Sequence, residues 1–353
     1  MSLRAKAVMG IALACAKCTG RKFPLIVNWA VTGNCNLRCR HCYGAYGAVQ
    51  KGELTFSEIT KALNELKKAG TRRITIEGGE PLMRRDIDDL MDYIRSLGME
   101  MSLCTNGTLL EKHVPAVKRN ADLVVISLDG SRDNHDTLRG HGNFDKVIRA
   151  LNLCREEKIR TLIFSCLIDT NLGDIGFLID TASACGSAIA FNIAVARYSG
   201  TDERSSLEKP NRELLRGAIS EILQHKKNGA PVFYSTDTFN QAAAWPDFEK
   251  ESYFSSELSG VPAVSAGTLI PCQAGKAYCY IECTGEMYPC YQTVGVFPAK
   301  HIVRDGVEEA FRHISSAPHC VRCYNLTLSE LNLQCALSLR ALARVGMNYF
   351  KPA

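Results

Sequence analysis

Between residues 24 and 200 the chain alternates short apolar runs with longer segments in which apolar positions recur every three or four residues. Leu25-Ile26-Val27-Asn28-Trp29-Ala30-Val31 is a near-continuous apolar run of strand length, the pattern of a parallel strand covered on both faces. Further strands are predicted over 73–77, 101–105, 123–128, 161–167 and 188–195. Thr55 and Glu58 form a capping box, after which Ile59, Ala62, Leu63 and Leu66 keep helical spacing until Gly70 stops the helix. Other helices are predicted over 86–96, 110–118, 145–157 and 174–184. Alternating units with short connections imply a parallel sheet with right-handed crossovers, either open and doubly wound or closed toward a barrel. Both arrangements collect functional groups at the C-terminal ends of the strands.

The flanking regions are less regular. Leu214, Leu215, Ile219 and Ile222 predict one helix between 201 and 270, and Tyr234 to Gly267 mixes aromatic with small polar residues, as the lining of a substrate cavity or a surface excursion does. At the N-terminus, Arg4 and Lys6 precede an apolar run from Ala7 to Cys15 that mimics a short signal peptide and is far too short to span a bilayer. A helix packed on the barrel is expected there; a helix lying on a membrane surface, flanked by Lys17, Arg21 and Lys22, is the alternative. Cys15 and Cys18 make a lone C-x2-C pair. The expected organisation is an N-terminal helix over 1–23, a main domain over 24–200, a connecting segment over 201–270 and a Cys-rich domain over 271–353.

Composition narrows the function classes. A chain of 353 residues, 46% hydrophobic and 22% charged, is globular and long enough for one large domain and a smaller one. Its 16 cysteines fall at metal-ligand spacings or inside apolar patterns, which points to a reducing, cytoplasmic compartment instead of a disulfide framework. The formal charge of +5 is spread along the chain with no basic stripe, so no nucleic-acid partner is expected.

The chemistry gathers at Cys35, Cys39 and Cys42. A C-x3-C-x2-C loop supplies three thiolates, one fewer than a four-iron cluster accepts, and so leaves one iron open. Structural zinc, the competing reading, closes a shell of four ligands, and His41 is the nearest spare donor. Downstream come Gly78-Gly79-Glu80-Pro81, Thr105-Asn106-Gly107, Ser127-Leu128-Asp129-Gly130 and Arg139, each motif at the end of a predicted strand. Gly78 and Gly79 admit a ligand close to the backbone, Glu80 offers a carboxylate to a cationic group, and the Arg139 guanidinium suits a carboxylate. In this order the motifs resemble the core of the radical S-adenosylmethionine (radical SAM) superfamily over roughly residues 24 to 200.

That resemblance implies a partial (β/α)6 TIM-like barrel, SAM, and a 4Fe-4S cluster with an open iron. It implies that Gly78, Gly79, Glu80 and Pro81 hold the methionine amino group and that Asn106 lies near the ribose. By the same resemblance Ser127 and Arg139 anchor the SAM carboxylate or ribose hydroxyls, and His41 lies against the adenine.

A second cysteine set lies in the C-terminal third. Cys272 and Cys290 flank Gly285 as C-x12-G-x4-C, and Cys320-x2-Cys323 follows. Four thiolates from two segments close a complete cluster, or a zinc site. The pattern resembles the twitch domain, the shortened relative of the SPASM extension, and implies one auxiliary 4Fe-4S cluster. Cys279, Cys283 and Cys335 stay unassigned. Where some SPASM dehydrogenases carry an aspartate base after the second cysteine, this chain has Tyr291, so Glu282 and Glu286 become candidates beside it.

The expected function is hydrogen abstraction from a small or lipid-like molecule, favoured by the apolar N-terminus and by a length that leaves no room for a leader-binding domain. The alternative is modification of a peptide or protein side chain. A non-catalytic iron-sulfur or zinc protein is the third. A reductant such as ferredoxin or flavodoxin is the implied partner.

Overall fold

A computed structural model describes residues 10–14, 18–44, 46–194, 211–259, 261, 267–317 and 320–336. Six parallel strands, β1 (Ile26–Thr32), β2 (Arg73–Gly78), β3 (Glu100–Thr105), β4 (Leu123–Ser127), β5 (Thr161–Leu167) and β6 (Ala188–Ile193), stand side by side in sequence order. Helices α1 (Phe56–Ala69), α2 (Ile87–Ser96), α3 (Val114–Asn120), α4 (Arg132–Arg139), α5 (Asn143–Glu156) and α6 (Ile175–Ala184) return the chain between them. This is the predicted partial barrel.

The strands show which face is which. In β2 and β3 the outward residues Ile74, Ile76, Met101 and Leu103 are fully buried beneath the helices. The inward residues Arg73, Thr75, Glu77, Ser102 and Cys104 line a cavity. The alternation therefore follows from a hollow barrel, where a solid α/β core would call for apolar residues on both faces. Helix α1 shows how the cover is built: Thr55 caps it with a complete capping box, and Ile59, Ala62, Leu63 and Leu66 face inward. Each fully buried Leu or Ile contributes about 1.5–3 kcal/mol. At the far end Gly70 has φ 118°, a left-handed turn that a side chain would strain.

Beyond β6 lie α7 (Arg212–Lys227), α8 (Thr236–Ala243), β7 (Ser252–Tyr253), β8 (Tyr278–Ile281), β9 (Glu286–Tyr288), β10 (Lys300–His301), α9 (Val307–Ser316), β11 (Arg322–Cys323) and α10 (Leu326–Ala336). Strand β8 pairs in parallel with β1, from Ile26 opposite Tyr278 to Trp29 opposite Ile281, and β9 and β10 continue that edge. The strands past residue 271 thus extend the barrel's own sheet. Helix α10 closes the other flank, with Leu326 N donating to Asn192 Oδ1 of β6 and Glu330 accepting from Ser235 and Thr238 of the α8 cap.

Residues 10–14 are helical, and Leu13 is buried with Leu25, Ile26, Cys272, Cys290 and Cys323. This short described stretch packs against both the foot of β1 and the C-terminal cysteines; the rest of the helix expected over 1–23 lies largely outside the described residues. Cys15 lies outside the described residues, and Cys18 is exposed. Among the described residues no helix is long and apolar enough to cross a membrane.

Candidate active site

The loop after β1 is fixed before it reaches its cysteines. Glu53 accepts from Thr32 Oγ1 at 2.9 Å, Gly33 N at 2.8 Å and Gln50 N at 2.7 Å, and the Arg38 guanidinium donates to the carbonyls of Cys35, Leu37 and Gly47. Cys35, Cys39 and Cys42 are half-buried and line the barrel cavity. Leu37 N donates to Cys35 Sγ at 3.4 Å, and Arg139 approaches Cys39 Sγ at 3.7 Å. Burial pushes the Cys39 thiol up to about 11 against the pull of Arg139.

Gly78 and Gly79 line the cavity and also crowd the cysteine loop. A Cβ on Gly79 would stand 2.2 Å from the Asn34 carbonyl oxygen, and one on Gly78 would stand 2.4 Å from that of Thr32. The pair admits the cysteine loop itself: Gly79 N donates to Thr32 O and Glu80 N to Asn34 O. Glu80 is engaged within the protein. Its carboxylate is fully buried and accepts from Leu82 N, Thr105 Oγ1 and Asn106 N, which ties β2 to β3 and leaves it turned away from the cavity. Pro81 opens the short turn that follows and is buried. Asn106 does reach the cavity, where its amide donates to Asn36 Oδ1 at 2.9 Å and lies 4.0 Å from Cys35 Sγ.

Asp129, inside a quoted motif but given no role from sequence, is the hub of the site. It is fully buried and accepts from Arg139 Nε at 2.5 Å and from Cys166 N at 2.8 Å, with His41 Nε2 at 3.1 Å. Burial opposes its ionisation, yet Arg139 and His41 hold its carboxyl well below the usual carboxylate range. Arg139 is therefore no surface residue and already has a carboxylate partner. His41 Nδ1 is buried with no partner among the described residues. Ser127 faces the cavity beside them.

The second cysteine set is enclosed. Cys272, Cys290, Cys323 and Cys335 share one buried apolar cluster, and Cys320 stands close enough to raise the pKa of Cys290 and Cys323 by charge repulsion after burial. Cys335 thus sits beside the four expected ligands. Cys279 and Cys283 are core thiols near the end of β8. Among the described residues no three Cys, His, Asp or Glu side chains are grouped closely enough to share one metal ion. A four-iron cluster distributes its thiolates over separate irons and asks for a looser group.

The two sets meet through aromatic rings. Tyr43, next to Cys42, lies 5.0 Å from Tyr291, next to Cys290, between ring centroids. The Tyr291 hydroxyl accepts from Asn325 and Asn192, and burial raises its pKa well above the ordinary value. Glu282 lies beneath the Tyr46–Tyr280 hydroxyl pair, and Glu286 accepts from Thr284; neither lines the cavity. The three base candidates are thus a protonated phenol and two carboxylates outside the chamber.

Residues 29–182 match the family model described as the radical SAM superfamily. Over these residues the chain carries a radical SAM domain. Members of that superfamily use SAM and a 4Fe-4S cluster. An AdoMet-dependent heme synthase of Methanosarcina barkeri is 28% identical over 76% of each chain. The mycofactocin maturase MftC of Mycolicibacterium smegmatis is 27% identical over 86% of this chain and 76% of its own. Among solved structures, Streptococcus suis SuiB superposes with a TM-score of 0.64 at 18% identity, covering 87% of this chain and 71% of that one. AnSMEcpe with bound AdoMet gives 0.63 at 18%, covering 82% and 80%. At such identities the two superpositions establish the fold.

Proposed function

We propose that this radical SAM enzyme cleaves SAM at a cluster held by Cys35, Cys39 and Cys42 and takes hydrogen from a side chain of a peptide. The observation that carries the site is the joint lining of one cavity by those three thiols, Gly78, Gly79, Ser127 and Arg139. Bound to the reduced cluster, SAM supplies a 5′-deoxyadenosyl radical. The protein's own part is positional: Asp129 fixes Arg139 and His41 against Cys39, Gly79 lets the loop seat on β2, and Tyr43 and Tyr291 wall the chamber from water. The buried set of Cys272, Cys290, Cys320 and Cys323, with Cys335 adjacent, suits one auxiliary 4Fe-4S cluster. A low-potential carrier such as ferredoxin or flavodoxin would deliver the electron.

The peptide reading takes precedence over the small-molecule one because the maturase relative covers more of this chain than the heme synthase does, 86% against 76%. The heme synthase relative favours a small-molecule substrate as the second reading. Reconstituted, dithionite-reduced protein is expected to release 5′-deoxyadenosine from SAM, and a deuterated peptide encoded beside the gene is expected to pass its label into that product. No 5′-deoxyadenosine refutes the SAM assignment; label arriving from a tetrapyrrole and from no peptide selects the second reading.

A further inference from the structure

Among the described residues, the acidic and basic side chains facing the cavity are paired, with one exception. Arg73 pairs with Glu100, Arg139 and His41 pair with Asp129, and Glu330 accepts from Ser235 and Thr238. Glu77 also lines the cavity, and among the described residues its carboxyl has neither a hydrogen-bond nor an ion-pair partner. It points inward from β2, two residues below Gly79 and so about 7 Å beneath the cysteine loop along the strand. Around it the chamber of about 360 Å³ is walled by Leu123, Val125, Leu162, Phe164 and Phe233.

We propose that Glu77 is a specificity-determining residue: its carboxylate receives an alkylammonium group that the substrate inserts into the barrel, as a lysine side chain of a peptide does. This rests on the peptide reading of the same cavity. The apolar walls suit a methylene stem with a charged tip. The groups around Glu77 are Cys104 on β3, Glu282 after β8 with Tyr46 above it, Arg73 lower on its own strand, and Glu80 bound to its three donors. None but Arg73 is cationic, and Arg73 already holds Glu100. Burial, and then Glu282, raise the Glu77 carboxyl to about 8, so it is mostly protonated at neutral pH until a cation arrives and displaces the proton.

The test uses the iron-loaded protein and two probes of equal length, N-acetyl-lysine methylamide and N-acetyl-2-aminoheptanoic acid methylamide, in which a methyl replaces the ammonium. The lysine probe is expected to bind about tenfold more tightly, the gain typical of a hydrogen bond to a charged group. Its binding should release a proton to the buffer and strengthen as pH rises from 6 to about 8. Glu77→Gln should bring the two probes to equal affinity, and Glu77→Asp should restore part of the difference. Equal affinities in the wild type, or a preference that survives Glu77→Gln, overturn the proposal. So does displacement of the lysine probe by SAM, which would give the carboxylate to the cofactor's ammonium instead. Release of 5′-deoxyadenosine by the wild type is scored separately, so a lost probe preference leaves the SAM assignment standing.

Discussion

Cys35, Cys39 and Cys42 stand half-exposed at the mouth of a chamber, held by a charged frame of Glu53, Arg38, Asp129 and Arg139. Cys272, Cys290 and Cys323 are 8%, 4% and 5% exposed and sit among Leu13, Leu25, Ile26, Tyr278 and Leu328. The same ligand atom has been placed in two opposite surroundings. A centre that must bind SAM needs an open side, and polar neighbours can carry its loop without filling that side. A fully ligated centre needs no access, so apolar packing can enclose it. The two sets nonetheless touch, through Tyr43 and Tyr291.

The strongest way to break this comparison is to delete each set in turn. Replacing Cys35, Cys39 and Cys42 together with alanine is expected to remove about four irons per chain and all 5′-deoxyadenosine formation. Replacing Cys272 and Cys290 should also remove about four irons, and in addition lower the unfolding midpoint, because these thiols belong to a packed core. Iron analysis and thermal unfolding under anaerobic conditions report both. If the first triple change costs stability and the second costs none, the open and enclosed sites have been assigned the wrong way round.

Acid should separate the regions next. His135 is fully buried, its Nδ1 accepts from Asp129 N, and its Nε2 has no partner among the described residues. Burial, with Arg139 nearby, lowers its pKa to about 4. The folded protein therefore resists the proton that the unfolded chain accepts near 6.5. This stability is intact above about pH 6.5 and falls as pH drops toward about 4, by about 3 kcal/mol in all. Asp129, depressed by its partners, acts only below the ordinary carboxylate range. Unfolding midpoints from pH 8 to 4.5 should show the loss, and His135→Asn should flatten it. The charged frame around the first set carries this dependence, so its cluster absorbance should bleach at higher pH than that of the second.

What the sequence disclosed, and what it hid, divides by the range of the interactions. The strands of the barrel lie within a residue or two of expectation because hydrophobic period and caps are local, as Thr55 and Gly70 show for α1; the short helix α4 was not expected, and α3 begins at Val114, four residues later than expected. The cysteine loop was legible because ligand spacing is local too. Asp129 was not assigned because His41, Arg139 and Cys166 reach it from three separate segments. Glu77 and Glu80 are three residues apart, and only closure of the barrel turns the first into the chamber and the second beneath it. The pairing of β8 with β1 joins residues some 250 positions apart through a four-residue strand, too short to announce its partner.

The finest test concerns the ring that joins the two sets. Tyr291 occupies the position where a base is expected from sequence, yet its hydroxyl accepts from two asparagine amides and burial keeps it protonated. Removing only that oxygen in Tyr291→Phe preserves the 5.0 Å stacking on Tyr43 and leaves the Asn192 and Asn325 amides one acceptor short. The expected cost is about 1 kcal/mol of stability, with 5′-deoxyadenosine formation within about twofold of wild type, a change of under about 0.5 kcal/mol in the barrier. Tyr291→Ala removes the ring as well, opens the wall between the chamber and the enclosed cysteines, and should be the more damaging change. A Phe variant that folds normally but loses substrate turnover would instead make the hydroxyl a participant, and the two regions would then be joined by chemistry as well as by packing.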